Sequence, residues 1–304
     1  MPNIWTHVLF CEEVVDALHL PALSAEEDTM MKLGAQGPDP FFYYNFWPWL
    51  QNERIQKIGE LMHTKHCGPF LIDLIQVAKQ RDKQMKAYVF GFITHHLLDR
   101  STHPYIHYRA GYEGSKHQKL EVQIDTLMME KYHRLKTWKA ASYKEIDVGF
   151  SMPKHILYVL HRTIQKYYPE VAFDTPKYIQ KAYRDMKWAL RILADPHGWK
   201  NTIFPSLISP YSHQPINDQI DYLNLERNTW YHSATKEPYT DSFIDLYEQA
   251  KLTGIQVAKN VLQYWLNDDH RTMKKLQEMI GNISYDTGKP VELHLQNMYC
   301  DPIL

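Results

Sequence analysis

Residues 91–121 read GFITHHLLDRSTHPYIHYRAGYEGSKHQKLE and hold five of the chain's 17 histidines. Two pairs in this window have the spacing of one helical turn, His95-x3-Asp99 and His117-x3-Glu121. Residues four apart share one helix face, so each pair aims an imidazole and a carboxylate at the same point. His103 stands between the pairs, four residues past Asp99 and directly before Pro104. Transition-metal sites are built from histidine and carboxylate at such spacings. The window therefore reads as two helices that carry a metal site. A residue before proline is biased away from helical geometry, so the first helix is expected to stop near Thr102, with His103 swung out of its last turn.

Outward from the window the pattern stays helical, and no run alternates long enough for a sheet. Helices are expected at about 8–18, 54–62, 68–80, 83–98, 116–132, 153–168, 176–194, 241–266 and 269–280. Pro69, Pro153 and Pro176 fall in first turns, where a missing N–H costs little, and Asp241 and Asp269 read as acidic N-caps. Three stretches read as loops: 34–50, dense in Gly, Pro and aromatics; 105–115; and 196–240, long enough to hide short helices. The fold class is all-α, one domain with a metal-bearing half (1–150) and a supporting half (151–304).

At 304 residues the chain can bury a substantial core without a structural metal. Lys+Arg 34 against Asp+Glu 35 leaves a net charge of -1, which argues against a dedicated nucleic-acid partner. Cys11, Cys67 and Cys300 are scattered and odd in number, so neither a disulfide framework nor a cysteine zinc site is expected. The N-terminal stretch lacks a secretory pattern, since Glu12 and Glu13 interrupt its apolar run, and no stretch has transmembrane length. A cytoplasmic location follows as the expectation. Motifs for a serine nucleophile elbow, a phosphate-binding P-loop, a dinucleotide fold or an HExxH protease are absent.

The H-x3-D helix, a following histidine and an H-x3-E helix together resemble the signature of the zinc-dependent phospholipase C family. That group includes the catalytic domain of glycosylphosphatidylinositol-specific phospholipase D and, distantly, zinc-dependent single-strand nucleases. The D-x3-H spacing from Asp99 to His103 looks more like the phospholipase D branch. Upstream, Thr6-His7 resembles the family's first-helix histidine, Gly37-Pro38-Asp39 its Pro-Asp loop, and His63 (with His66 as competitor) the next histidine. The resemblance covers about the first 130 residues and implies an all-helical fold that binds up to three zinc ions. It implies Asp39, His63, His95 and Asp99 on one zinc, His103, His117 and Glu121 on another, and His7 with a bridging Asp99 oxygen on a third. The chain departs from the secreted members at the N-terminus: their mature chain begins with a tryptophan that completes the third site, whereas Trp5 is internal.

A metal-dependent hydrolase of phosphoric esters is the expected function, with two or three Zn2+ ions or other divalent metals, and Asp39 as the general base that the resemblance implies. The substrate would be a small phosphoester or a phospholipid-like molecule. The alternative is a non-catalytic helical protein that metal braces for binding a partner or ligand. His96, His107 and His133 read as structural or surface residues, with His107 at the mouth of the site. The aromatics at 41–49 read equally well as core filler or as an apolar wall beside the metals, and the segment 228–232 as a loop within reach of the site.

Overall fold

A computed structural model describes residues 4–47, 49–51, 53–171, 173–267 and 269–304. It is mostly α-helical. The helices are α1 (Ile4–Asp16), α2 (Ala25–Gly34), α3 (Glu53–Thr64), α4 (Cys67–Ala78), α5 (Lys83–Ala110) and α6 (Lys116–His133). They continue as α7 (Lys154–Tyr167), α8 (Lys177–Leu193), α9 (Trp199–Ile203), α10 (Pro205–Ile208), α11 (Phe243–Leu266) and α12 (His270–Ile280). A two-stranded antiparallel ribbon, β1 (Trp230–Tyr231) and β2 (Pro238–Tyr239), is the sheet among the described residues. None of the described helices is long and apolar enough to cross a membrane.

Helix α5 is the axis of the bundle, packed against α1, α2, α4, α6 and α11. It is buried around almost its whole circumference, which is why its sequence shows no apolar stripe. Leu9, Phe10 and Val14 of α1, Leu74 and Ile75 of α4, and Val257 and Val261 of α11 join one continuous apolar core with it. Each fully buried side chain of this kind contributes roughly 1.5–3 kcal/mol. That core is the rigid frame on which the polar residues of α5 are held.

Three expectations are corrected. Helix α5 does not stop at Thr102 but runs on to Ala110 with Pro104 inside it. Proline cannot bond the carbonyl four residues back, which here is Arg100 O. Gly288 packs on that point instead: a Cβ there would lie 2.2 Å from Arg100 O and 3.4 Å from Pro104 Cγ, and its φ of +61° also favours glycine. The Arg100 side chain donates to Ile280 O at 2.7 Å, tying the end of α12 to the same turn. Tertiary packing thus carries the helix through a residue that would break it in isolation. His103 consequently stays on the helix, in line with Asp99.

Helix α2 lies in a stretch where no helix is expected, yet Ser24 and Glu27 form a full capping box: Ser24 Oγ accepts from Glu27 N at 3.2 Å and Glu27 Oε2 from Ser24 N at 3.0 Å. The S-x-x-E signal was there to be read. At α11 the cap is Ser242, boxed with Asp245, rather than Asp241. Asp269 does cap α12, accepting from Arg271 N. The long segment 196–240 holds α9, α10 and the ribbon, in keeping with its length.

Candidate metal centre

Three successive turns of α5 present His95, Asp99 and His103 as one buried column. Helix α6 brings His117 and Glu121, α1 brings His7, and α3 brings His63. Asp39 opens the 3-10 turn Asp39–Tyr43 that follows α2 and is fully buried. All eight residues singled out in the sequence therefore meet in one place.

Asp99 sits at the middle. Its Oδ2 lies 2.9 Å from His95 Nε2 and 3.7 Å from His63 Nε2, while its Oδ1 lies 3.2 Å from His7 Nε2 and 3.3 Å from His103 Nε2. Asp39 lies 3.5 Å from His63 Nε2, and Glu121 is 3.0 Å from His117 Nε2 and 3.6 Å from His103 Nε2. Ligand atoms group within 4.8 Å of one another as His7, His95 and Asp99; as Asp39, His63 and His95; as His103, His117 and Glu121; and as His103, His107 and Asp286. His66 stays outside, at the head of α4 with its ring against Tyr167 and Tyr168.

The rings are aimed by their far sides. His63 Nδ1 donates to Gly59 O at 2.7 Å and His95 Nδ1 to Ala35 O at 3.0 Å, which turns Nε2 of each inward as the atom available to a metal. Gly37 is what lets the His95 ring lie there. A Cβ on Gly37 would stand 2.3 Å from the ring, and its φ is +51°. Near the third group, Asp125 anchors the start of α1 by accepting from Trp5 N at 3.0 Å and Thr6 N at 2.8 Å, and it pairs with His213 at 3.2 Å. Asp125 is thereby committed to holding α1, and so His7, in place.

Burial alone would push the His7, His63 and His103 rings toward neutrality, but the facing carboxylates outweigh it and all three are held above the ordinary imidazole value. For Asp99 burial opposes ionisation, and the surrounding imidazoles override it, so its carboxyl stays well below the usual range. Glu121 goes the other way: burial pushes it up to about 7. Protons are thus standing where positive charge is required. The donor set fits a metal for the same reason. Both Asp39 oxygens, Asp99 Oδ2, Glu121 Oε2 and His95 Nε2 are buried without a hydrogen-bond partner. Leaving that many buried polar atoms unpaired would cost roughly 1–3 kcal/mol each. Carboxylate oxygen with imidazole nitrogen suits zinc.

A chamber of about 280 Å3 opens beside the cluster, lined by Asp39, Phe42, His63, His103, His107 and His117 among others. It adjoins a larger cleft of about 760 Å3 that shares His107, Tyr112 and Asp286 with it and runs along the C-terminal segment. Of the aromatics at 41–49, Phe41 and Tyr43 are buried in the core, Phe42 walls the chamber, and Trp47 and Trp49 are exposed. Both readings of that loop hold, for different residues. The segment 228–232 turns on itself, with His232 Nδ1 accepting from Ala234 N at 3.2 Å and Thr235 N at 3.3 Å. His96 behaves as a structural residue, packed on Tyr285 at 4.5 Å and held neutral by burial.

One residue escaped the sequence. Asp286 Oδ1 lies 3.6 Å from His103 Nδ1 and 3.9 Å from His107 Nε2. This pairing makes His107 part of the site rather than an unpartnered neighbour. The carboxylate stands behind His103, on the side away from Asp99 and Glu121, where its negative charge raises the basicity of the ring. Nothing at helical spacing announces it; the contact spans the chain from α5 to the segment after α12. Asp286→Asn keeps the shape but cannot hold a protonated Nδ1 as a charge. We expect it to lower zinc affinity about 10–100-fold, read by competitive chelator titration. An unchanged affinity would remove Asp286 from the site.

Among known proteins, a family model described as zinc dependent phospholipase C matches residues 6–175, more than half of the chain, and spans α1 to α7 with every residue of the cluster except Asp286. No curated protein and no solved structure matches.

Proposed function

Because the chain belongs to the zinc-dependent phospholipase C family, we propose that the cluster around Asp99 binds two or three zinc ions and hydrolyses a phosphoric ester. The observation that supports this most directly is the set of unpaired buried ligand atoms beside an open chamber. Structural zinc sites are closed, whereas catalytic ones keep a position for water or substrate.

Asp39, His63, His95 and Asp99 would hold one ion, His103, His117 and Glu121 a second, and His7 with Asp99 a third. Zinc, when bound, supplies charge neutralisation at the phosphoryl oxygens and acidifies a water. The chain's own residues do the rest. Asp39 faces the chamber with both oxygens unpaired and is our general base, taking the proton from the attacking water. His63 and His95 are locked by Gly59 O and Ala35 O, so the pocket is preorganised. Phe42 and Tyr112 bound the chamber, and the wider cleft beyond His107 receives one side of the ester. The free thiols at Cys11, Cys67 and Cys300 support a reducing, cytoplasmic setting.

The experiment is elemental analysis of the purified protein together with turnover of bis(p-nitrophenyl) phosphate. Two or three zinc ions per chain, and turnover that chelation abolishes and zinc restores, are expected. Metal at full load with no turnover of any generic mono- or diester would leave a metal brace as the better account.

A further inference from the structure

Four of the eight tryptophans are exposed: Trp47 and Trp49 in the aromatic loop, Trp188 on α8 and Trp199 on α9, three elements joined in a band along α8. Trp49 is 74 % exposed, Trp188 52 % and Trp199 54 %. Hydrogen bonds stitch the band together. Asn45 N donates to Asp185 Oδ2 at 2.9 Å, seating the aromatic loop on α8. Lys200 Nζ donates to Ile192 O and Ala194 O at 2.7 Å each, seating α9 on the end of α8. In the loop Phe46, Trp47 and Trp49 stack in a row, with centroids 4.7 and 5.2 Å apart. Beyond Trp199, the exposed Ile203, Phe204 and Leu207 extend the apolar surface.

Cations interleave with these rings. Arg184, Trp188 and Arg191 share one face of α8 at i, i+4 and i+7. The Arg184 guanidinium lies 5.4 Å from the ring of Phe150, which is 78 % exposed, and that of Arg191 lies 5.6 Å from Trp188. Lys200 sits 5.8 Å from Trp199. The neighbouring acids are already neutralised, Asp185 by Lys181 and Asp147 by Lys187. Among the described residues neither Arg184 nor Arg191 has a carboxylate partner.

We propose that this band is a docking surface for an anionic membrane. Tryptophan is amphipathic and settles at the headgroup level of a bilayer, and unpaired arginines beside it match the charge of acidic lipid. A second copy of the chain fits less well, because a two-fold interface would press this positively charged patch against the same patch on the other copy. A surface helix of basic and aromatic residues attaches a protein to a bilayer without spanning it. The attachment is independent of which phosphoester the metal centre cleaves.

The test is cosedimentation of the full-length, metal-loaded protein with phosphatidylcholine vesicles, with and without about 30 mol% phosphatidylserine. The wild-type chain is expected to bind the phosphatidylserine vesicles and to be released as salt is raised. Trp49→Ala with Trp188→Ala should weaken binding about tenfold or more, and Arg184→Ala with Arg191→Ala should abolish the preference for phosphatidylserine. Zinc content and thermal midpoint, measured on both variants, should match wild type and report an intact fold. The proposal is overturned by no binding of the wild type, or by binding that neither variant alters. Sedimentation equilibrium that shows a dimer dissolved by these substitutions would overturn it equally.

Discussion

Asp99→Ala is expected to remove more than one zinc ion from the protein, whereas Glu121→Ala should remove one. The difference follows from where the two oxygens of Asp99 point. Oδ2 faces His95 and His63, and Oδ1 faces His7 and His103, so a single side chain serves both flanks of the cluster. Glu121 serves only the flank of His103 and His117. Removing Asp99 also strips the buried imidazoles of the charge that holds their protons, leaving a polar cavity with no compensating ion. Zinc contributes several kcal/mol of charge stabilisation to displacement at phosphorus, which corresponds to a phosphodiesterase loss on the order of 10³-fold. Metal stoichiometry by elemental analysis and initial rates on a soluble diester decide it. The Asp99→Asn variant, which keeps the volume, guards against simple misfolding. Full metal content in both would discard Asp99 as the bridge.

Stripping the metal should destabilise the protein more at pH 8 than at pH 6. In the metal-free fold His7, His63 and His103 carry raised pKa values, so their stabilisation is complete below the unfolded value near 6.5 and is lost as pH rises through the folded values. Glu121 adds to the trend. Its folded pKa of about 7 lies above the ordinary 4.5, so the metal-free fold loses stability across that interval, where the carboxyl is ionised in the unfolded chain but still protonated in the fold. Asp99, depressed, is ionised throughout the window and contributes no slope there. His107 and His117, lowered by burial, run the other way but only up to the unfolded value near 6.5, so above it the raised histidines set the slope. Zinc binding runs opposite, since protons cease to compete for the imidazoles. A single ion present at about a thousand times its Kd stabilises by roughly 4 kcal/mol, or a thermal midpoint shift on the order of 10 °C. Melting curves with and without chelator should therefore diverge as pH rises. A gap that is constant, or that narrows, would contradict the charge balance described for the cluster.

Much of the candidate centre is legible in the sequence because several of its proposed donors are local. The α-helical period alone places His95 with Asp99 and His117 with Glu121, and a four-residue step extends the first pair to His103. The order of His7, Asp39 and His63 upstream could be matched only through family resemblance, since no periodicity links residues on separate elements. The all-helical class was legible for the same reason as the pairs: amphipathic spacing recurs along most of the chain. Helix α2 has a local signal of its own, the capping box of Ser24 and Glu27. Pro104 misled because the bias against helix before proline is a local rule, and Gly288, packed on the Arg100 carbonyl from far along the chain, lies outside its reach.

What the sequence determined by itself is the local pairing of His95 with Asp99 and of His117 with Glu121, and the helices that bear them, because both depend on spacings of a few residues. What only the tertiary structure decided is everything that depends on distant parts of the chain meeting. Asp99 becomes the centre because α1, α3 and α6 converge on its two oxygens. Asp286 reaches His103 only when the segment after α12 folds back over α5. The aromatic loop and α9, with three of the four exposed tryptophans, reach α8 only through contacts made between distant parts of the chain. Packing brings these groups within a few ångströms, and no pattern in the linear chain encodes that distance.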